Sequence, residues 1–313
     1  MKILVTGSIA YDTIMVFPDR FRNHLLADQL HILNVCFLTP EMRREYGGTA
    51  GNIAYNLRLL GENPLVMATV GDDIDPYLSR LRGLGLSTEH LKRISGQFTA
   101  QGFITTDLDN NQITNFHPGA MNYSHQNHVT PGLGAGLAII GPDGKEGMVQ
   151  HSRQCAEHGI PFLFDPGQGL PMFSREELVE LLRLASYVAV NDYEGKLLEE
   201  KMGRKLDDLA SEVKALIYTE GSGGSTIIAG GQRHHIPCVK AQSVVDPTGC
   251  GDAYRAGLLY GIRHGWDWPT NGKLGSVMGA IKIAHRGGQN HEPGREEIEA
   301  RFERAFGYSP WKG

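Results

Sequence analysis

The stretch Asp246-Pro-Thr-Gly-Cys-Gly-Asp252 carries the strongest chemical signal in the chain. Glycines at 249 and 251 permit a tight turn, and the amphipathic run Ala-Tyr-Arg-Ala-Gly257 follows at once. A helix opening here directs free N–H groups and the positive end of its dipole at an anion, in this case a phosphate undergoing transfer. Asp252, at the start of that helix, has the chemistry of a general base for an attacking hydroxyl. The alternative is a plain glycine turn whose acidic residue stabilises the helix. A second stretch, Gly47-Gly-Thr-Ala-Gly-Asn52, opens a run that ends at Gly61, a helix-terminating position. Gly47 and Gly48 let a ligand approach the backbone, and Asn52 offers an amide to hydroxyls. On its own this segment fits a packing role equally well.

These residues need a scaffold, and the apolar runs supply one. Ile3–Val5, Leu65–Val70, Leu137–Ile140, Phe162–Phe164, Tyr187–Val190 and Leu216–Tyr218 are short, continuous and bounded by Gly, Asp or Asn. Such runs predict strands buried on both faces of a parallel sheet. Helical segments lie between them. Ser174-Arg-Glu-Glu177 reads as a capping box opening a helix through about Ala185, and Asp192 precedes another over Tyr193–Met202. The expected architecture is α/β, a doubly wound, mostly parallel sheet with helices on both faces. Two regions break the rhythm. Residues 11–44 show no clear helix, and Phe103–Thr106 with Gln112–Phe116 flank the turn-rich Asp107–Asn111 as a hairpin. Together they predict a small β lid, from about 12–45 and 98–118, on a single domain spanning 1–313. The final quarter, 251–307, reads as mainly helical.

At the two glycine stretches the sequence resembles the ribokinase-like sugar and nucleoside kinases, whose two signatures occur in this order and at this distance. The likeness covers essentially the whole chain. It implies an α/β/α core with a β lid, dependence on ATP and Mg²⁺, and phosphorylation of a primary hydroxyl. By that likeness Gly249, Cys250 and Gly251 match the anion-hole backbone and Asp252 the catalytic base. Cys250 departs from the usual small aliphatic residue, a change to be tolerated where the backbone N–H does the work. Asp12, with Ser8 just before it, matches the aspartate that grips sugar hydroxyls at the end of the first strand. Asn191-Asp-Tyr-Glu194 matches an N-x-x-E motif in which Glu194 organises Mg²⁺ through water. Thr219, Gly221 and Gly224, with Thr248, match the segments that touch the nucleotide.

Within that family, Thr6–Ala10, Phe17–Phe21, Phe116–Met121 and Asp165-Pro-Gly-Gln168 are similar to bacterial adenosine and nucleoside kinases. The implied reaction is adenosine plus ATP to AMP plus ADP. Another nucleoside (inosine, guanosine, cytidine) or a free sugar such as ribose is the alternative acceptor, and a non-catalytic nucleotide-binding regulator is the alternative of another class. A nucleoside base needs an apolar face to stack on. Phe116 and its neighbour Phe103 offer one unless they are packing aromatics, and Gln168 offers a donor and an acceptor to a base edge.

Thirty basic against thirty-five acidic residues give a net charge of −5 with no Lys/Arg block, so nucleic acid is not an implied partner. The N-terminus lacks the flanks of a signal peptide, and no apolar stretch is long enough for a membrane span. Four scattered cysteines argue for a reducing compartment, and the expectation is a cytoplasmic protein. Gly141-Pro-Asp-Gly-Lys145 lacks P-loop spacing, and His151, Cys155 and His158 lack a complete metal-ligand set. By likeness a monovalent cation such as K⁺ is a further cofactor whose ligands the sequence does not assign. Exposed lid strands suit a homodimer.

Overall fold

The computed structural model describes residues 1–25, 34–109 and 111–312; residues 26–33 of the expected lid and Asn110 of the expected turn lie outside them. Among the described residues a nine-stranded sheet runs in the order β13-β12-β11-β10-β9-β8-β1-β4-β5. Its strands are β1 (Lys2–Thr6), β4 (Leu65–Val70), β5 (Leu91–Arg93), β8 (Ala135–Ile140), β9 (Phe162–Phe164), β10 (Tyr187–Asn191), β11 (Ala215–Thr219), β12 (Ser225–Ala229) and β13 (Gln232–Ile236). All neighbours pair in parallel except β11–β12 and β12–β13, which close one edge as antiparallel ribbons.

Each inner strand divides its side chains between two cores, which is why the runs are apolar without alternation. Ile3 and Val5 of β1 and Leu137 and Ile139 of β8 join one core. Leu4, Ala138 and Ile140 join the other. The first core is covered by α1 (Thr49–Leu59), α2 (Asp75–Gly83), α7 (Cys250–Arg263), α8 (Trp268–Lys282) and α9 (Arg295–Phe306). The second is covered by α3 (Lys145–Glu157), α4 (Arg175–Leu184), α5 (Asp192–Met202) and α6 (Leu206–Ala210). His151 and Cys155 lie buried on α3, where burial lowers the imidazole pKa to about 4 and raises the thiol to about 12.

A second sheet, in the order β3-β2-β6-β7, stands apart. It comprises β2 (Ala10–Val16), β3 (Glu41–Gly47), β6 (Ala100–Thr106) and β7 (Gln112–His117). The turn between β6 and β7 is tied by Asp107, which accepts from the backbone N–H groups of Phe21, Asp109 and Asn111. Two local readings shift by a residue or an element. Asn191, not Asp192, caps α5, completing a capping box with Glu194. Asp12 is the third residue of β2 rather than the end of β1.

Helices α7 and α8 pack back to back through glycine. A Cβ on Gly257 would lie 2.7 Å from the backbone nitrogen of Gly275. That approach carries the end of α8 back to the start of α7, beneath the turn that precedes it.

Candidate active site

The helix α7 opens at Gly249, held at φ 77° where glycine is strongly favoured, and no side chain caps it. The Cys250 N–H closes the preceding turn by donating to the Pro247 carbonyl at 3.1 Å, which corrects its expected place among the anion-binding groups and leaves the N–H groups that follow it to serve an anion. Gly251 is exposed, and a Cβ there would meet no protein atom nearer than Arg255 Nη1 at 3.9 Å. The surrounding protein does not itself demand glycine here. Gly251→Ala should leave the melting temperature unchanged and lower kcat/KM for the phosphoryl donor by about a hundredfold, the scale of losing one oxyanion contact. A thermal melt and a donor titration separate the two effects.

Asp252 is half-buried in the first turn of α7 and accepts a 2.8 Å hydrogen bond from Nδ2 of Asn52, the fourth residue of α1. Asn52 is held in turn by Gln289, whose Nε2 donates to Asn52 Oδ1 at 3.1 Å and to the Tyr77 hydroxyl at 2.6 Å. Tyr77 donates to the carbonyl of Gly47 at 2.7 Å, so a polar chain runs from the end of β3 to Asp252. Burial pushes the Asp252 carboxyl up to about 7, opposed by the Asn52 bond and reinforced by Asp165. A base of this kind works only when ionised. The acid limb of kcat/KM should therefore fall tenfold per pH unit below about pH 7, and a limb near pH 4 would contradict the assignment. The same raised pKa means that the folded state binds this proton more tightly than the unfolded chain. Its contribution to stability is full below the ordinary value of 3.8 and is lost as pH rises through about 7.

Across the cleft, Asp12 stands between two glycines. A Cβ on Gly102 would lie 2.8 Å from Asp12 Oδ1, and one on Gly47 would collide with Oδ2. Burial, then the charges of Asp246 and Glu45, raise Asp12 to about 6. Directly paired residues share a face, so Asp12, Glu45, Gly102 and Phe116 point the same way. Phe103 pairs with Asn115 and Thr13 and points to the opposite face. Phe116 is 52 % exposed on the Asp12 face.

A buried ion pair lies behind Asp252. Arg255 Nε donates to Asp165 Oδ2 at 3.0 Å, with the two side chains 5 % and 8 % exposed. Glu194, whose oxygens accept from the Asn191 backbone at 2.9 Å and its side chain at 2.8 Å, is raised by burial and by Asp165. Asn191 pairs in register with Thr219, and Gly224 follows at the turn into β12, where a side chain would strike the Ile236 carbonyl. Thr248 donates its N–H to Asp246 at 2.9 Å. Gly221, at φ 54°, opens the turn after β11.

The Ser8 hydroxyl accepts from the Thr49 N–H at 3.1 Å, which anchors the start of α1. Gln168 is exposed on the helical turn after Asp165. Arg255, Gln289, Tyr77 and Lys282, which sequence reasoning missed, support the residues it singled out. For Arg255, Lys282 and Gln289 the one signal was a charged or amide group inside an apolar helical run or next to a glycine pair, and Tyr77 had none.

Among the described residues no group of three or more His, Cys, Asp or Glu side chains could hold a metal on its own. The donor set fits instead an ion carried by phosphates. The Asp165 charge raises the proton affinity of both Glu194 and Asp252, and Arg255 is the cation set among them.

The sequence model of the pfkB family carbohydrate kinases matches residues 9–295. A nucleoside kinase of Methanocaldococcus jannaschii is 32% identical over 273 residues, covering 87% of this chain and 90% of its own. The solved structure of Burkholderia thailandensis nucleoside kinase in complex with inosine is 56% identical, with a TM-score of 0.90 over 98% of this chain and 99% of that one. The same kinase in complex with ADP-inosine is 57% identical, with a TM-score of 0.88 over 98% and 97%.

Proposed function

The chain belongs to the pfkB family of carbohydrate kinases, and from that premise we propose that it transfers the γ-phosphoryl group of ATP to the 5′-hydroxyl of a nucleoside. The observation that carries the proposal is the 2.8 Å Asn52–Asp252 contact at the uncapped start of α7, opposite a sheet face bearing Asp12 and Phe116. Asp12 takes the secondary hydroxyls of the ribose. Asn52 holds the base and keeps one amide N–H for a hydroxyl. Asp252 accepts the proton of the 5′-hydroxyl as that oxygen bonds to the γ-phosphorus, while the bond from phosphorus to the ADP oxygen breaks. The backbone N–H groups of Gly249 and Gly251 receive the charge on the phosphoryl oxygens, the Cys250 N–H being held by the Pro247 carbonyl. The nucleotide lies along Thr219, Gly221, Gly224 and Thr248. Magnesium, when bound, offsets the charge on the phosphates, and Glu194 would hold it through water. The small sheet acts as the lid that keeps competing water from the phosphoryl group.

Inosine is the nucleoside bound to the Burkholderia relative, and the 32%-identical archaeal relative is also a nucleoside kinase. Inosine and adenosine are therefore the first acceptors to compare. ATP consumption with Mg²⁺ should be measured against adenosine, inosine, guanosine, cytidine, ribose and fructose 6-phosphate. Turnover confined to nucleosides supports the proposal. Turnover of sugars alone would keep the family chemistry and discard the nucleoside pocket.

Phe116 supplies the stacking face. Phe116→Ala should raise KM for a nucleoside about tenfold, within the range for one base on an aromatic ring, and leave KM for ribose unchanged. Equal effects on both acceptors would count against stacking. Phe103→Ala, on the opposite face, should leave nucleoside KM unaltered.

A further inference from the structure

Lys282 is the last residue of α8 and is 0 % exposed. Burying an ammonium is costly unless its donors are satisfied. Its partners are backbone carbonyls rather than carboxylates: Nζ donates to Asp246 O at 2.7 Å and to His285 O at 3.1 Å. A lysine that only capped its own helix would reach the last carbonyls of that helix. This one joins the turn before α7 to the loop after α8. The Asp246 carboxylate works on the same joint from the other side, accepting the N–H groups of Thr248 at 2.9 Å and Gly287 at 2.8 Å. Val245 and Asp246 complete it by donating their N–H groups to the carbonyl of Ile283.

The joint lies directly beneath the phosphate-binding turn. A Cβ on Gly279, one turn back along α8, would lie 3.7 Å from the Cys250 carbonyl. The ammonium is close enough to Asp246, Cys250 and Asp252 for each to raise its proton affinity against the lowering caused by burial. A single positive charge held by carbonyl oxygens in a closed space is also the arrangement that binds a dehydrated monovalent cation.

We infer that the Lys282 ammonium is a built-in cation that fixes the phosphate-binding turn, doing the work of a carbonyl-ligated monovalent ion and making turnover independent of potassium. Lys282 is thus a positioning residue. It acts through the backbone of residues 246–251 and adds a fixed positive charge below the anion cradle. The inference goes beyond the proposed function and relies on it only for the turnover measurement.

The test measures kcat, nucleoside KM and ADP affinity for the unaltered protein and for Lys282→Met. Each is assayed in potassium chloride and in tetramethylammonium chloride at about 0.1 M, so that ionic screening is matched. The unaltered protein should change by less than about twofold between salts. Lys282→Met should lose about tenfold or more in kcat and ADP affinity in tetramethylammonium, the scale seen when an outer supporting group is removed. It should regain part of that loss in potassium, with nucleoside KM little changed. A purely structural lysine would give no recovery specific to potassium. The inference is overturned if the unaltered protein slows about tenfold without potassium, or if Lys282→Met matches it in tetramethylammonium. Should the variant fail to fold, the salt response of the unaltered protein decides alone. Should no acceptor be phosphorylated, the functional reading fails separately, and ADP affinity by calorimetry in the two salts still decides the role of Lys282.

Discussion

Asp252→Asn should lower kcat about a thousandfold while nucleoside and ATP still bind, a loss within the range for removing a positioned general base. The substitution keeps the shape of the side chain, and an amide oxygen can still accept the Asn52 N–H. What disappears is the capacity to take a proton. Steady-state rates give kcat, and calorimetry with each substrate shows that the site is intact. The acid limb near pH 7 should vanish along with the activity, because the group that titrates there is gone. A variant with near-normal kcat would remove Asp252 from the role of base and leave phosphoryl positioning as its only contribution.

Arg255→Met should destabilise the fold by about 3–5 kcal/mol, because it strips the partner from a buried carboxylate. Asp165 is then left 8 % exposed without its guanidinium, beside Glu194 and Asp252. In a domain of this size the loss lowers the melting temperature by about 10 °C. The double variant Arg255→Met/Asp165→Leu should recover most of it, since an apolar pair of similar volume has no charge left to desolvate. Arg255 also depresses the Asp252 pKa. The single variant should therefore move the acid limb upward, a readout that stability alone does not produce. An unchanged melting temperature would show that water reaches the pair and screens it.

Strands with two buried faces were readable as apolar runs. Leu65–Val70 and Phe162–Phe164 end where the runs end, and the others gained one or two flanking residues. The capping box at Ser174 marked the start of α4 because its two hydrogen bonds are local. β3 was not readable. Its sequence, Glu-Met-Arg-Arg-Glu-Tyr-Gly, has almost nothing buried, and only pairing with β2 holds it extended. The antiparallel ribbon β12–β13 escaped for a related reason, since His234 and His235 give β13 no apolar alternation. In the site, Asp252 and Asn52 stood out through their glycines, but their contact spans 200 positions and leaves no trace in spacing. The separation of Phe103 from Phe116 depends on strand register, which periodicity in one strand does not supply.

The place of β1 in the sheet sets a timetable for synthesis. β1 pairs with β4 on one side and β8 on the other, and Thr6 Oγ1 donates to the Ile139 carbonyl 133 positions away. At about 5–20 residues per second a ribosome takes roughly 7–27 s to bridge that gap. Until then β1, an inner strand of the finished sheet, has a bare edge. Beyond β8 the strands join in the order in which they are made, from β9 through β13, each beside the one before. The wait therefore falls once, before β8 emerges, and that interval is when a nascent chain of this protein most needs shelter from its neighbours.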